Sequence, residues 1–168
     1  MEKTLKVLNE LEKRSFIERY AIGGGIASLF YTEPVLTYDL DVFVFLPRAK
    51  TTRIILSPIY DYLKSKGYRE EKEHILIEGV PVQFIPAYSP LVEEAVKQAK
   101  SVRYKGVATR VLRAEHLLAI MLQTGRAKDK ARLALFLEEA EVNQKEFSQI
   151  IKRHNLSAEW ARFKKAIL

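Results

Sequence analysis

Ile22-Gly23-Gly24-Gly25-Ile26-Ala27, followed by Thr37-Tyr38-Asp39-Leu40-Asp41-Val42, is the stretch on which the fold turns. The apolar run 16–22 predicts a short strand entering the three glycines, and Ile26-Ala27-Ser28-Leu29-Phe30 a short helix that stops before Pro34. Glycine lets backbone approach a ligand closely, and a helix N-terminus offers unpaired N–H groups to an anion. Residues 40–46 are rich in Val and Phe and end at Pro47, which predicts a strand. At period two, Asp39 and Asp41 leave that strand on one face with Phe43 and Phe45, while Leu40, Val42 and Val44 leave the other. Two carboxylates that close repel each other and resist burial. A divalent cation relieves both costs, and Mg²⁺ takes one or two carboxylates with waters and substrate phosphates completing its octahedron. Taken singly, the glycines also fit a tight structural turn, and the acids an ordinary turn pair. Gly23-x-Gly25-x-x-Ser28 nearly spells a dinucleotide-binding fingerprint, but the acids precede the apolar strand instead of closing it, so that reading fails.

Outward from this stretch, Leu5, Leu8 and Leu11 at helical spacing predict a helix over 3–14. A helix over 52–66 stops at Gly67, and strands over 74–78 and 80–85 form a hairpin about Gly79. Ser89 and Pro90 open a helix reaching residue 99, and 106–112 is a further strand. Beyond it the periodicity is helical, over about 114–124, 128–140, 144–153 and 157–166. The expectation is an α+β fold: a mixed sheet with flanking helices over 1–113, followed by a helical C-terminal region over 114–168 packed on that core.

Composition narrows the function classes. The chain of 168 residues has no cysteine, excluding disulfides and thiolate zinc sites. No apolar run approaches the roughly 20 residues of a membrane span. Residues 1–13 form a charged amphipathic pattern without a leader-type apolar core, so a cytoplasmic protein without a membrane partner is expected. Residues 1–99 carry 13 Lys and Arg against 14 Asp and Glu; residues 100–168 carry 15 against 7, a net of +8. That asymmetry suits a polyanion, either nucleic acid or nucleotide phosphates, or a solubilising basic surface. His74, His116 and His154 show no ligand spacing and are read as structural or surface residues; Trp160 and Phe163 are read as packing.

The glycine turn, short helix and Asp-x-Asp opening an apolar strand together resemble the DNA polymerase β-like nucleotidyltransferase superfamily. The nearest branch is the small prokaryotic nucleotidyltransferases related to abortive-infection and toxin–antitoxin systems. Their helical tail signature is matched by Gly125-Arg126-Ala127-Lys128-Asp129-Lys130-Ala131-Arg132. The resemblance implies Mg²⁺- or Mn²⁺-dependent transfer of a nucleoside monophosphate from an NTP to a hydroxyl on tRNA, another RNA or a protein. Asp39 and Asp41 would be catalytic metal ligands; Gly24, Gly25, Thr37, Arg126 and Lys128 would bind the nucleotide. Asp129 reads as an early-helix residue favouring the dipole. Three positions depart from the family pattern. Gly25 stands where members often carry Ser, and Val35 where toxin-like members carry Arg. Gln83 replaces a third carboxylate; its amide oxygen still coordinates a cation but cannot accept the hydroxyl's proton. The alternative is therefore a catalytically degenerate protein acting as partner of a cognate toxin or antitoxin, or as an RNA-binding module.

Overall fold

The structure, a computed structural model, describes residues 1–32, 37–47 and 56–167; Val35 and the first turn expected for the helix over 52–66 lie outside them. Helix α1 (Glu2–Lys13) buries Leu5, Leu8 and Leu11. Its polar side chains tie it across the sheet: Thr4 Oγ1 donates to the Ile77 carbonyl at 3.2 Å and Asn9 Nδ2 to the Ala108 carbonyl at 2.9 Å. Strand β1 (Arg19–Ile22) runs into α2 (Gly24–Ser28), and β2 (Leu40–Phe45) returns beside β1. Then come α3 (Ser57–Ser65), β3 (Arg69–Glu71), β4 (His74–Ile77), β5 (Val80–Pro86), α4 (Pro90–Lys97), β6 (Lys100–Tyr104) and β7 (Val107–Val111). Four helices close the chain: α5 (Ala114–Thr124), α6 (Ala127–Glu139), α7 (Gln144–Arg153) and α8 (Ser157–Ile167).

The strands form one mixed sheet, ordered β3-β4-β5-β2-β1-β7-β6. β2 is antiparallel to β1 and parallel to β5, and β1 is parallel to β7 through Ile22 and Val111. The fully buried β2 residues Leu40, Val42 and Val44 lie at the centre of this sheet.

Four expectations need correction. The first strand begins at Arg19, not residue 16, because Ser15 adopts a positive φ of 60° and the Phe16 N–H bonds back to the Leu11 carbonyl, closing α1. Gly24 and Gly25 are the first residues of α2 instead of a turn ahead of it. The helix after Pro90 ends at Lys97, and residues 100–104 are strand β6. Strand β3 was unexpected. Both unforeseen strands are sheet edges whose exposed charged residues hide the period-two pattern.

Helix α5, with eight buried residues, is the post of the C-terminal region. Glu94 on α4 receives Arg153 Nε and Nη2 at 3.0 and 2.7 Å, and shares hydrogen bonds with His154 Nε2 at 2.8 Å and His116 Nε2 at 3.3 Å. Arg113 forks onto Glu146 with two contacts of 2.6 Å, and buried Glu115 accepts from the Asn143 N–H at 2.9 Å. The Tyr31 ring meets Phe136 of α6 at 6.0 Å. The C-terminal helices are thus fastened to one another and to α4 by charge-assisted bonds as well as by apolar packing.

Candidate active site

Asp41 is the second residue of β2, and its Cα partner on β5 is Gln83. The Gly23 N–H donates to the Asp41 carbonyl at 2.9 Å, which draws the glycine turn onto the strand. Gly24 has φ +59°, and a Cβ there would overlap Asp41 Oδ2. Only glycine lets that carboxylate lie against the start of α2. At Gly25 a Cβ would stand 2.6 Å from Thr37 Oγ1 and 3.0 Å from Arg132 Nη2. Asp39, just ahead of β2, accepts from Thr37 Oγ1 at 3.2 Å through Oδ1, while His74 Nε2 lies 3.7 Å from its Oδ2.

Burial, then the charge of Asp39, pushes the Asp41 carboxyl above its ordinary value; Lys128, Arg126 and Arg132 pull it back in part. Among the described residues no cation lies within ion-pair distance of Asp41. Arg126 sits at the N-cap of α6 and grips buried Asp129 through Nε at 2.6 Å and Nη2 at 3.3 Å. That bond to Asp129, foremost, holds the Arg126 guanidinium above its usual value. Lys128 and Arg132, one helical turn apart, make no hydrogen bond or ion pair among the described residues.

Between these acids and bases lies a cleft of about 530 Å³, within the size range of small-molecule sites. Asp39, Asp41 and Gln83 stand on its sheet side; Arg126, Lys128 and Arg132 come from α6. Gly24 also lines it, whereas Gly25 and Thr37 touch residues that do. Among the described residues no three His, Cys, Asp or Glu side chains group as a metal cage. The oxygen donors at hand are two carboxylates and one amide. This set fits Mg²⁺ or Mn²⁺ sharing its shell with water and phosphate, and does not fit a closed zinc site.

Two cleft residues, Arg132 and Tyr88, and one residue beside Asp39, His74, carried no role in the sequence. Arg132 was legible as the residue one helical turn beyond Lys128 on the same face. Tyr88, exposed just ahead of α4, lines the cleft and gives no periodic signal. His74, expected to be structural or surface, has a buried Nε2 without a hydrogen-bond partner and faces Asp39 instead. Only the path of β4 beside β5 brings it there.

No family model and no curated protein matches the chain. Solved structures do. An antigenic nucleotidyltransferase-like protein from Paracoccidioides brasiliensis superposes with a TM-score of 0.54 at 16% identity, covering 94% of this chain and 92% of that one. The antibiotic-resistance factor ANT(2'')-Ia in solution gives 0.53 at 15% identity over 98% and 96% of the two chains. The same factor in complex with adenylyl-2''-tobramycin gives 0.52 at 14% over 94% and 95%. With both chains covered almost end to end, and with the sheet and helices described above, this chain shares the fold of these solved structures, the first of them a nucleotidyltransferase-like protein.

Proposed function

We propose that the chain transfers a nucleoside monophosphate from an NTP to a hydroxyl acceptor with release of pyrophosphate, and that Asp39 and Asp41, with Gln83, would hold the Mg²⁺ or Mn²⁺ this needs. The observation that carries this reading is a cleft in which, among the described residues, Asp39 and Asp41 face Arg126, Lys128 and Arg132 with no ion pair formed between the two sides. A ligand that satisfies both must itself present a cation to one side and anions to the other, as a metal-bound triphosphate does. When bound, the metal lowers charge repulsion for in-line attack on the α-phosphorus. Asp41, seated against Gly24 and without an ion-pair partner among the described residues, stays available as a ligand. Thr37 orients Asp39 through its hydroxyl. Gln83 takes no proton, so the acceptor's proton leaves to water or to a phosphate oxygen.

The structural neighbour ANT(2'')-Ia holds an adenylylated aminoglycoside. Here the third acid lining the cleft, Asp129, is already held by Arg126, which leaves, among the described residues, no further lining carboxylate for a polycation's ammonium groups. RNA and protein hydroxyls are the favoured acceptors. The test is transfer of radiolabel from each NTP onto RNA, protein and an aminoglycoside, with the Asp39→Asn/Asp41→Asn double variant as control. Label transfer that survives the double substitution removes these two residues from the mechanism.

Gln83 and the basic C-terminal half support the second reading, a degenerate nucleotidyltransferase that binds RNA or a cognate toxin or antitoxin. Calorimetry with Mg²⁺ and NTP separates the two, since the degenerate protein shows no heat at millimolar ligand. RNA affinity that falls steeply with salt marks phosphate-dominated binding.

A further inference from the structure

We propose that Arg132 grips the terminal phosphates of the bound nucleotide and thereby joins helix α6 to the glycine turn; the inference rests on the nucleotidyl-transfer reading above. Three observations converge on this residue. Its Nη2 lies 3.0 Å from where a Gly25 Cβ would stand, so the guanidinium reaches across the cleft to the backbone of α2. It makes no hydrogen bond or ion pair among the described residues, although it is half-buried and lines the cleft. Arg126, the other cleft arginine, has Nε and Nη2 engaged on Asp129.

A half-buried guanidinium with no partner among the described residues is costly where its planar fork of donors has lost water without gaining acceptors there. Phosphate oxygens match that fork in pairs. Lys128, one turn earlier and exposed, is a mobile point charge and serves as the weaker contact. Arg126, steadied by Asp129, contributes field more than contact. The competing role for Arg132 is to offset the charge of Asp41, with which it interacts electrostatically. The two roles differ in what a triphosphate does: a charge-balancing arginine is indifferent to it, whereas a phosphate ligand is not.

The probe is inorganic tripolyphosphate with Mg²⁺, which needs no knowledge of the base, titrated calorimetrically into the full chain. Wild type binds, Arg132→Gln binds about tenfold or more weakly, as expected for lost charge-assisted bonds, and Lys128→Gln loses less. Hydrogen exchange in α6 slows on adding tripolyphosphate to wild type and does not change in Arg132→Gln. Should Arg132→Gln fail to fold, Arg132→Lys keeps the charge without the fork and binds severalfold more weakly. If wild type binds and either variant binds equally well, the assignment of Arg132 is overturned while nucleotidyl transfer stands. If wild type itself does not bind tripolyphosphate, both fall together.

Discussion

Gly24 and Asp41 are packed so closely that a single added methyl group on the first would occupy the position of the second's carboxylate oxygen. The contact joins the turn after β1 to the mouth of β2, and fixes where the half-buried acid points. Gly24→Ala therefore carries two costs. A left-handed φ of +59° costs an alanine roughly 1–2 kcal/mol, and Asp41 must turn away. Thermal unfolding will show the first as a lowered midpoint. Label transfer will show the second as a loss far larger than the stability change explains.

Asp41→Asn separates stability from function in the opposite direction. The half-buried carboxyl of Asp41, beside Asp39, is pushed above its ordinary 3.8 by desolvation and by that like charge. A raised native value means that the native state holds this proton more tightly than the unfolded chain. The contribution of Asp41 to stability is thus full below 3.8 and is lost as pH rises through the native value. The asparagine variant, which never ionises, is expected to match wild type near pH 3 and to be the more stable at about pH 7. Transfer by this variant is abolished. Unfolding midpoints across that range, set against label transfer at neutral pH, check both halves.

Gln83→Asp places a third carboxylate next to Asp41 in the strand register. Without metal it adds like charge to a half-buried site and lowers the unfolding midpoint. With Mn²⁺ the deficit is recovered, because affinity for hard cations follows the charge count of the ligands. Differential scanning calorimetry with and without Mn²⁺ reads the crossover. A variant destabilised equally in both conditions would show that Gln83 does not face the cation.

Glu94 ties α4 to α5 and α7, remote from the chemistry. Burial pushes its carboxyl up, but hydrogen bonds from Arg153, His154 and His116 outweigh burial and hold it at about 2, below the ordinary 4.5. A depressed acid stabilises the fold above its unfolded value and loses that contribution as pH falls toward its native one. The shift corresponds to about 3 kcal/mol at neutral pH. Glu94→Gln should lower stability by a similar order in urea unfolding at neutral pH. The difference from wild type should shrink in acid.

Much of this molecule was readable beforehand, and the exceptions share a cause. Leu5, Leu8 and Leu11, the strand around Val42 and Val44, and the hairpin at Gly79 follow from local periodicity and turn chemistry. The edge strands at Arg69 and Lys100 did not announce themselves, since exposed charges there carry no alternation. His74 meets Asp39 across an intervening strand, and Arg132 meets Gly25 from a distant helix. Neither encounter has a local signature. Asp39 and Asp41 could be read because two acids opening an apolar strand are conspicuous; of the cations they face, Arg126 and Lys128 were named through the resemblance of residues 125–132, and Arg132 was not.

The parallel seam between the first and the seventh strand has a mechanical consequence. Ile22 and Val111 sit side by side, and the Leu112 N–H bonds to the Ile22 carbonyl at 2.9 Å. One strand leads directly into the glycines, the other into α5 and from there to α6. Both jaws of the cleft thus spring from a single joint, like the arms of a caliper. Repacking at that joint would reset the gap between them for a longer or shorter substrate without changing the identity of any residue that lines the cleft.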